Sequence, residues 1–107
     1  MLTLTVDVEQ YAGNGSEGRF LHALQPLLTS LVSLEAQVTF FVVGDLVDKS
    51  AQLIRDLHGM GHEIALHGYT HQFLKELGPI EFRAELIKGK ELIEAITQSP
   101  MIGFRAP

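Results

Sequence analysis

Gln37-Val38-Thr39-Phe40-Phe41-Val42-Val43-Gly44-Asp45 decides the fold of this chain. Residues 37–43 are dominated by β-branched and aromatic side chains with little polar alternation, the composition of a strand buried on both faces. Gly44 and Asp45 then open a helix, with Asp45 at the N-cap, that runs through Leu46, Leu53, Ile54 and Leu57 to Gly59. A buried strand running directly into a helix is the signature of a β/α unit in a parallel sheet.

The flanking sequence repeats that unit. On the N-terminal side, Leu2 to Val8 alternates apolar and polar residues, as a strand does. Asn14 to Gly18 reads as a loop, and Phe20, Leu24, Leu27, Leu28, Leu31 and Leu34 follow at helical spacing. Pro26 is expected to kink that helix or to start a second segment, because it lacks an N–H and crowds the preceding turn. On the C-terminal side, Glu63 to Leu66 forms a short third strand ending at His67. Pro79 suits a helix start, and Phe82, Leu86, Ile93 and Ile96 make its apolar stripe, opposite Lys88, Lys90, Glu91 and Glu94. Met101 to Phe104 is expected to be a fourth strand. The order βαβαβαβ predicts an α/β fold of parallel strands with right-handed crossovers, in one domain over residues 1–107.

Composition excludes several classes of function. The chain has 107 residues, 46% hydrophobic, with a net charge of −5. Its eight Lys and Arg residues are scattered, so no nucleic-acid partner is expected. With no cysteine, neither a disulfide framework nor a thiolate metal site is available, and any metal must be held by His, Asp or Glu. No apolar run approaches the roughly 20 residues of a membrane span. Met1 leads into the first strand without a signal peptide, so the chain as written is expected in the cytoplasm.

The chemistry gathers at strand ends. His67 and His71 are four apart, which on a helical turn places both imidazoles on one side, within reach of one metal ion. Asp7 and Glu9 are two apart on the first strand, so their carboxylates leave the same face. In parallel α/β folds, catalytic groups collect at the carboxyl ends of strands. Asp7, Glu9, Gly44, Asp45, His67 and Arg105 all stand at such ends, so they are expected on one rim. His58 and His62 share the four-residue spacing but lie among glycines at a helix end, where a structural role fits. His22 reads as surface or packing, and Tyr69 and Thr70 as shaping the turn between the histidines. Tyr11 either lines the site or packs beneath the loop.

Together, Thr5-Val6-Asp7-Val8-Glu9, Thr39 to Gly44, Gly61 to His71 and Gly103-Phe104-Arg105-Ala106-Pro107 resemble the motifs of the polysaccharide deacetylase family. This is the NodB-homology domain of carbohydrate esterase family 4, and the first motif looks like its Asp-Val-Glu branch. The resemblance implies a distorted, TIM-like (β/α) barrel of which this chain is the first part, apparently truncated after the third motif. It implies His67, His71 and Glu9 as ligands of a divalent metal, usually zinc, with Asp7 as general base and Arg105 orienting and charge-balancing it. The implied substrate is an N-acetylated amino sugar in a glycan. In the family, later strands supply an acidic–aromatic motif and a late histidine that protonates the leaving amine, and neither has a counterpart before Pro107. A half-barrel also predicts self-association or a completing C-terminal half, because sheet edge and apolar surface stay uncovered.

Two other readings compete. One is a superfamily amidohydrolase acting on a small amide or ureide, and the other a non-catalytic, metal-binding fragment. A zinc peptidase fits poorly, because Gly68 stands where His-Glu-x-x-His places its base.

Overall fold

Parallel strands β1 (Thr5–Val8), β2 (Thr39–Val42) and β3 (Glu63–Leu66) form a sheet in that order. The computed structural model describes residues 2–9 and 17–107. Tyr11 and the Asn14–Ser16 part of the expected loop lie outside the described residues, whereas Glu17 and Gly18 already belong to a helix. The helices are α1 (Glu17–Ser33), α2 (Gly44–Lys49), α3 (Ala51–Gly59), α4 (Leu74–Leu77) and α5 (Pro79–Thr97). Thr5, Thr39 and Glu63 align in register, as do Val8, Val42 and Leu66, so the three strands end level with one another.

Strand β2 is central, but it is not equally buried on both faces. Phe40 and Val42 are fully buried towards the helices, while Thr39 and Phe41 are half-buried on the other face. That second face also carries Thr5 and Asp7 of β1, and Thr39 Oγ1 donates to Glu63 Oε1 at 2.6 Å across it. The apolar face packs Val8, Phe40, Val42, Ile64 and Leu66 against Leu24, Leu28 and Leu31 of α1, Ile54 and Leu57 of α3 and Ile93 of α5. Each such side chain, fully buried, contributes about 1.5–3 kcal/mol.

Several expectations need correction. Strand β1 starts at Thr5 rather than Leu2, since Leu2 and Leu4 are exposed and only Leu4 O reaches across, accepting from Thr39 N–H. Helix α1 continues through Pro26 without a second segment. The helix expected over Asp45–Gly59 divides at Ser50, whose φ −128°, ψ 41° is not helical. Its start is Gly44, with Val43 as the uncapped N-cap, so Asp45 lies inside the first turn. Met101 to Phe104 makes no full strand. Phe104 forms a single parallel bridge to Leu66, and the hydrogen bonds Leu66 N–H to Gly103 O and Arg105 N–H to Leu66 O hold it. No helix among the described residues is long and apolar enough to cross a membrane.

The second histidine pair separates as its helix-end position suggests. His58 lies in the last turn of α3, while His62 is buried beyond it. Its Nδ1 accepts the Val38 N–H, and its ring meets Phe40 edge-on at 5.2 Å. His22 is exposed on α1.

Candidate metal centre

The residue after β1 is Glu9, the residue after β3 is His67, and the residue after the Phe104 bridge is Arg105. Level strand ends therefore deliver all three side chains to one rim. The expected helical turn carrying His67 and His71 is absent: residues 67–73 form a bent loop. Gly68 at φ 69° and His71 at φ 61° both occupy the left-handed region, which for a non-glycine costs roughly 1–2 kcal/mol. The spacing therefore brings the imidazoles together through a loop and not through a helix.

That loop is fixed on two sides. The first amides of α2, which have no partner inside their own helix, donate to it: Gly44 N–H to Gly68 O at 2.9 Å and Asp45 N–H to Tyr69 O at 3.0 Å. This is why α2 needs no side-chain cap. Gly44 is required by the close approach, since a Cβ there would lie 2.9 Å from the Tyr69 Cα and against its ring. On the other side, Glu85 of α5 accepts from the amides of Tyr69 and Thr70 and from the Thr70 hydroxyl. Lys88 Nζ lies 4.0 Å above the centre of the Tyr69 ring. Nothing in the sequence marked Glu85. Thr70, read as shaping the turn, does so through these bonds.

Both imidazoles meet one carboxylate. His67 Nε2 is 3.2 Å and His71 Nε2 2.5 Å from Glu9 Oε2, and the ring centres are 5.1 Å apart. The three residues offer ligand atoms within 4.8 Å of one another. His67 Nδ1 faces the Arg105 carbonyl oxygen at 3.0 Å, and a carbonyl only accepts, so Nδ1 carries the proton. In the neutral tautomer with that proton, Nε2 presents its lone pair to Glu9 Oε2. Two acceptors facing each other call for a proton or a cation between them, so the donor set fits a divalent ion of the zinc type. His67 is buried, whereas the His71 side chain is 43% exposed, which leaves the site open on that side. There a polar hollow of about 150 Å³ is lined by Glu9, Asp45, Lys49, Thr70 and His71 among others.

Asp7 stands apart from this cluster and pairs with Arg105. Arg105 Nη1 donates to Asp7 Oδ1 at 2.7 Å and Nη2 to Thr5 Oγ1 at 3.0 Å. The guanidinium carbon lies 4.2 Å above the centre of the Phe41 ring, which accounts for the half-burial of that residue. One residue thus touches both halves of the rim: the Arg105 carbonyl orients His67 and its side chain holds Asp7.

The chain is similar to known proteins in sequence and in fold. A chitooligosaccharide deacetylase of Bradyrhizobium is 34% identical over 82 residues, which is 76% of this chain and 37% of that protein. A peptidoglycan deacetylase-like protein of Gibberella zeae is 33% identical over 97 residues, covering 91% of this chain and 27% of its own length. The crystal structure of a CE4 family pseudoenzyme from Bacillus anthracis superposes with a TM-score of 0.83 at 27% identity, over 100% of this chain and 35% of that one. The chain thus spans well under half the length of these relatives. The sequence profile of polysaccharide deacetylases matches residues 2–107, and the chain belongs to the polysaccharide deacetylase family.

Proposed function

We propose that this chain carries the metal-binding and base-bearing part of a hydrolase that removes N-acetyl groups from the amino sugars of a glycan. The observation that carries the reading is the meeting of His67 Nε2 and His71 Nε2 on one oxygen of Glu9, on the rim that also holds the Asp7–Arg105 pair. Glu9, His67 and His71 would hold a divalent ion, zinc in our reading. When bound, such an ion lowers the pKa of water from about 15.7 to roughly 7 and polarises a carbonyl oxygen.

The chain's own residues do the rest. The Arg105 carbonyl fixes the His67 tautomer, so its Nε2 stays a ligand. Arg105 engages Oδ1 of Asp7, which leaves Oδ2 to accept the proton of an attacking water. Phe41 and Thr5 hold the guanidinium, so Asp7 is oriented before substrate arrives. The sheet is, in this reading, the first part of a distorted TIM-like barrel, whose later strands would cover the polar face bearing Thr5, Asp7 and Thr39. Exposed Ile80, Ile87 and Ile102 support association with such a complement or with a second copy.

Metal analysis of protein purified without an affinity tag tests the proposal. One divalent ion per chain is expected, lost in His67→Ala, together with acetate release from acetylated chitooligosaccharides by the complete domain. Metal-free wild-type protein, with acetate release unchanged by His67→Ala, would sink it. A non-catalytic, metal-binding role is the second reading, favoured by the likeness to a pseudoenzyme. Metal uptake without acetate release by the complete domain would establish that one instead.

A further inference from the structure

We propose that Glu85 of α5 is a positioning residue for the histidine pair, setting the loop that carries His71; this rests on the metal-binding reading above. Glu85 lies 14 residues beyond His71 on a different element, yet both its carboxylate oxygens are spent on the loop between the two histidines. Oε2 accepts the Tyr69 N–H at 3.1 Å and the Thr70 N–H at 3.4 Å, while Oε1 accepts the Thr70 hydroxyl at 2.6 Å. Hydrogen bonds to a carboxylate are among the stronger ones a loop can make.

The geometry explains why a clamp is needed at that point. From the opposite side, α2 binds only carbonyls, those of Gly68 and Tyr69. The Tyr69 and Thr70 amides have Glu85 as their acceptor, and the next residue, His71, sits in the left-handed region. A non-glycine residue stays in that region when the surroundings over-determine it. With α2 holding the carbonyls and Glu85 the amides, the peptides before His71 cannot rotate, and its Nε2 stays directed at Glu9 Oε2. Lys88, one turn further along α5, adds a cation over the Tyr69 ring. Helix α5 therefore holds the ligand loop without supplying a ligand.

The test is Co(II) titration by calorimetry and visible absorption, with circular dichroism as the check on folding. Partners that orient metal ligands are typically worth 10–100-fold in metal affinity. Glu85→Ala is expected to weaken Co(II) binding about 10-fold or more and to change the d–d absorption bands. Glu85→Gln is expected to recover most of the affinity, since its amide oxygen accepts both peptide N–H groups and its amide nitrogen donates to the Thr70 hydroxyl. Folded Glu85→Ala that binds Co(II) with wild-type affinity and spectrum overturns the proposal, as does Glu85→Gln no better than Glu85→Ala. If Glu85→Ala fails to fold, Thr70→Val decides: it loses one of the three hydrogen bonds, and a severalfold loss of affinity supports the clamp while wild-type affinity overturns it. Wild-type protein that takes up no Co(II) overturns the metal reading itself, an outcome distinct from failure of the clamp alone.

Discussion

His62 Nδ1 accepts the Val38 N–H at 3.2 Å, while its Nε2 is buried with no hydrogen-bond partner among the described residues. An accepting Nδ1 fixes the neutral ring, and burial lowers the pKa of His62 from its ordinary value of 6.5. The folded state therefore resists a proton that the unfolded chain takes up. Stability is complete above pH 6.5 and falls as pH drops from there towards the lower folded-state value. The slope is at most about 1.4 kcal/mol per pH unit for one proton. Urea midpoints measured from pH 7.5 to 5 should show this loss. His62→Asn, whose side-chain oxygen keeps an acceptor for Val38, should flatten it, and an unchanged slope would contradict the assignment.

Phe40 is fully buried at the centre of the sheet, between the aligned Val6 and Ile64. Phe40→Ala should cost about 3–5 kcal/mol, the usual sum of lost transfer energy and residual cavity. Equilibrium denaturation reads this directly. A loss below about 1 kcal/mol would mean that the core collapses around the gap.

Metal binding should appear as stability. A divalent ion at a hundredfold excess over its dissociation constant adds about 2.7 kcal/mol to a protein that binds it only when folded. Zinc should raise the thermal midpoint of the wild type, chelation should reverse the rise, and His71→Ala should show neither effect. Equal responses in wild type and variant would place the ion elsewhere.

Gly44→Ala tests the close approach of α2 to the ligand loop. The added Cβ meets backbone as well as ring, 2.9 Å from the Tyr69 Cα, so no rotamer change relieves it. We expect about 1–3 kcal/mol of destabilisation and weaker metal binding together. Lost stability with intact metal affinity would show that the loop moves without disturbing its histidines.

Asp7→Asn separates base from ligand. In the complete domain it should lower kcat by about 10²–10⁴-fold while leaving metal content unchanged, because Asp7 pairs with Arg105 and not with the histidines. Loss of metal on this substitution would instead make Asp7 a ligand.

The parallel order was legible because residues 37–43 have the β-branched and aromatic composition of a buried strand, and the short apolar segments on either side alternate with helix signals. Strand ends then placed Glu9, His67 and Arg105 correctly, since topology fixes where a strand delivers its last side chain. What escaped depends on tertiary hydrogen bonds. Asp45 looked like an N-cap because an Asp before an apolar run normally is one, yet the loop carbonyls of Gly68 and Tyr69 had taken that role. The spacing of His67 and His71 suggested a helical turn, but two left-handed residues produce the same convergence in a loop. Glu85 was invisible because its partners are mainly backbone amides, which every residue but proline possesses.

The hydrogen bonds from the Gly44 and Asp45 amides to the Gly68 and Tyr69 carbonyls have a thermodynamic consequence. Opening the ligand loop strips α2 of its first partners, and fraying α2 releases the loop, so the two segments melt as one cooperative unit although 22 residues lie between Gly44 and His67. Whatever ion closes the histidines onto Glu9 is thereby also a ligand of the helix. By reciprocity, the ease with which α2 nucleates sets part of the affinity for the ion.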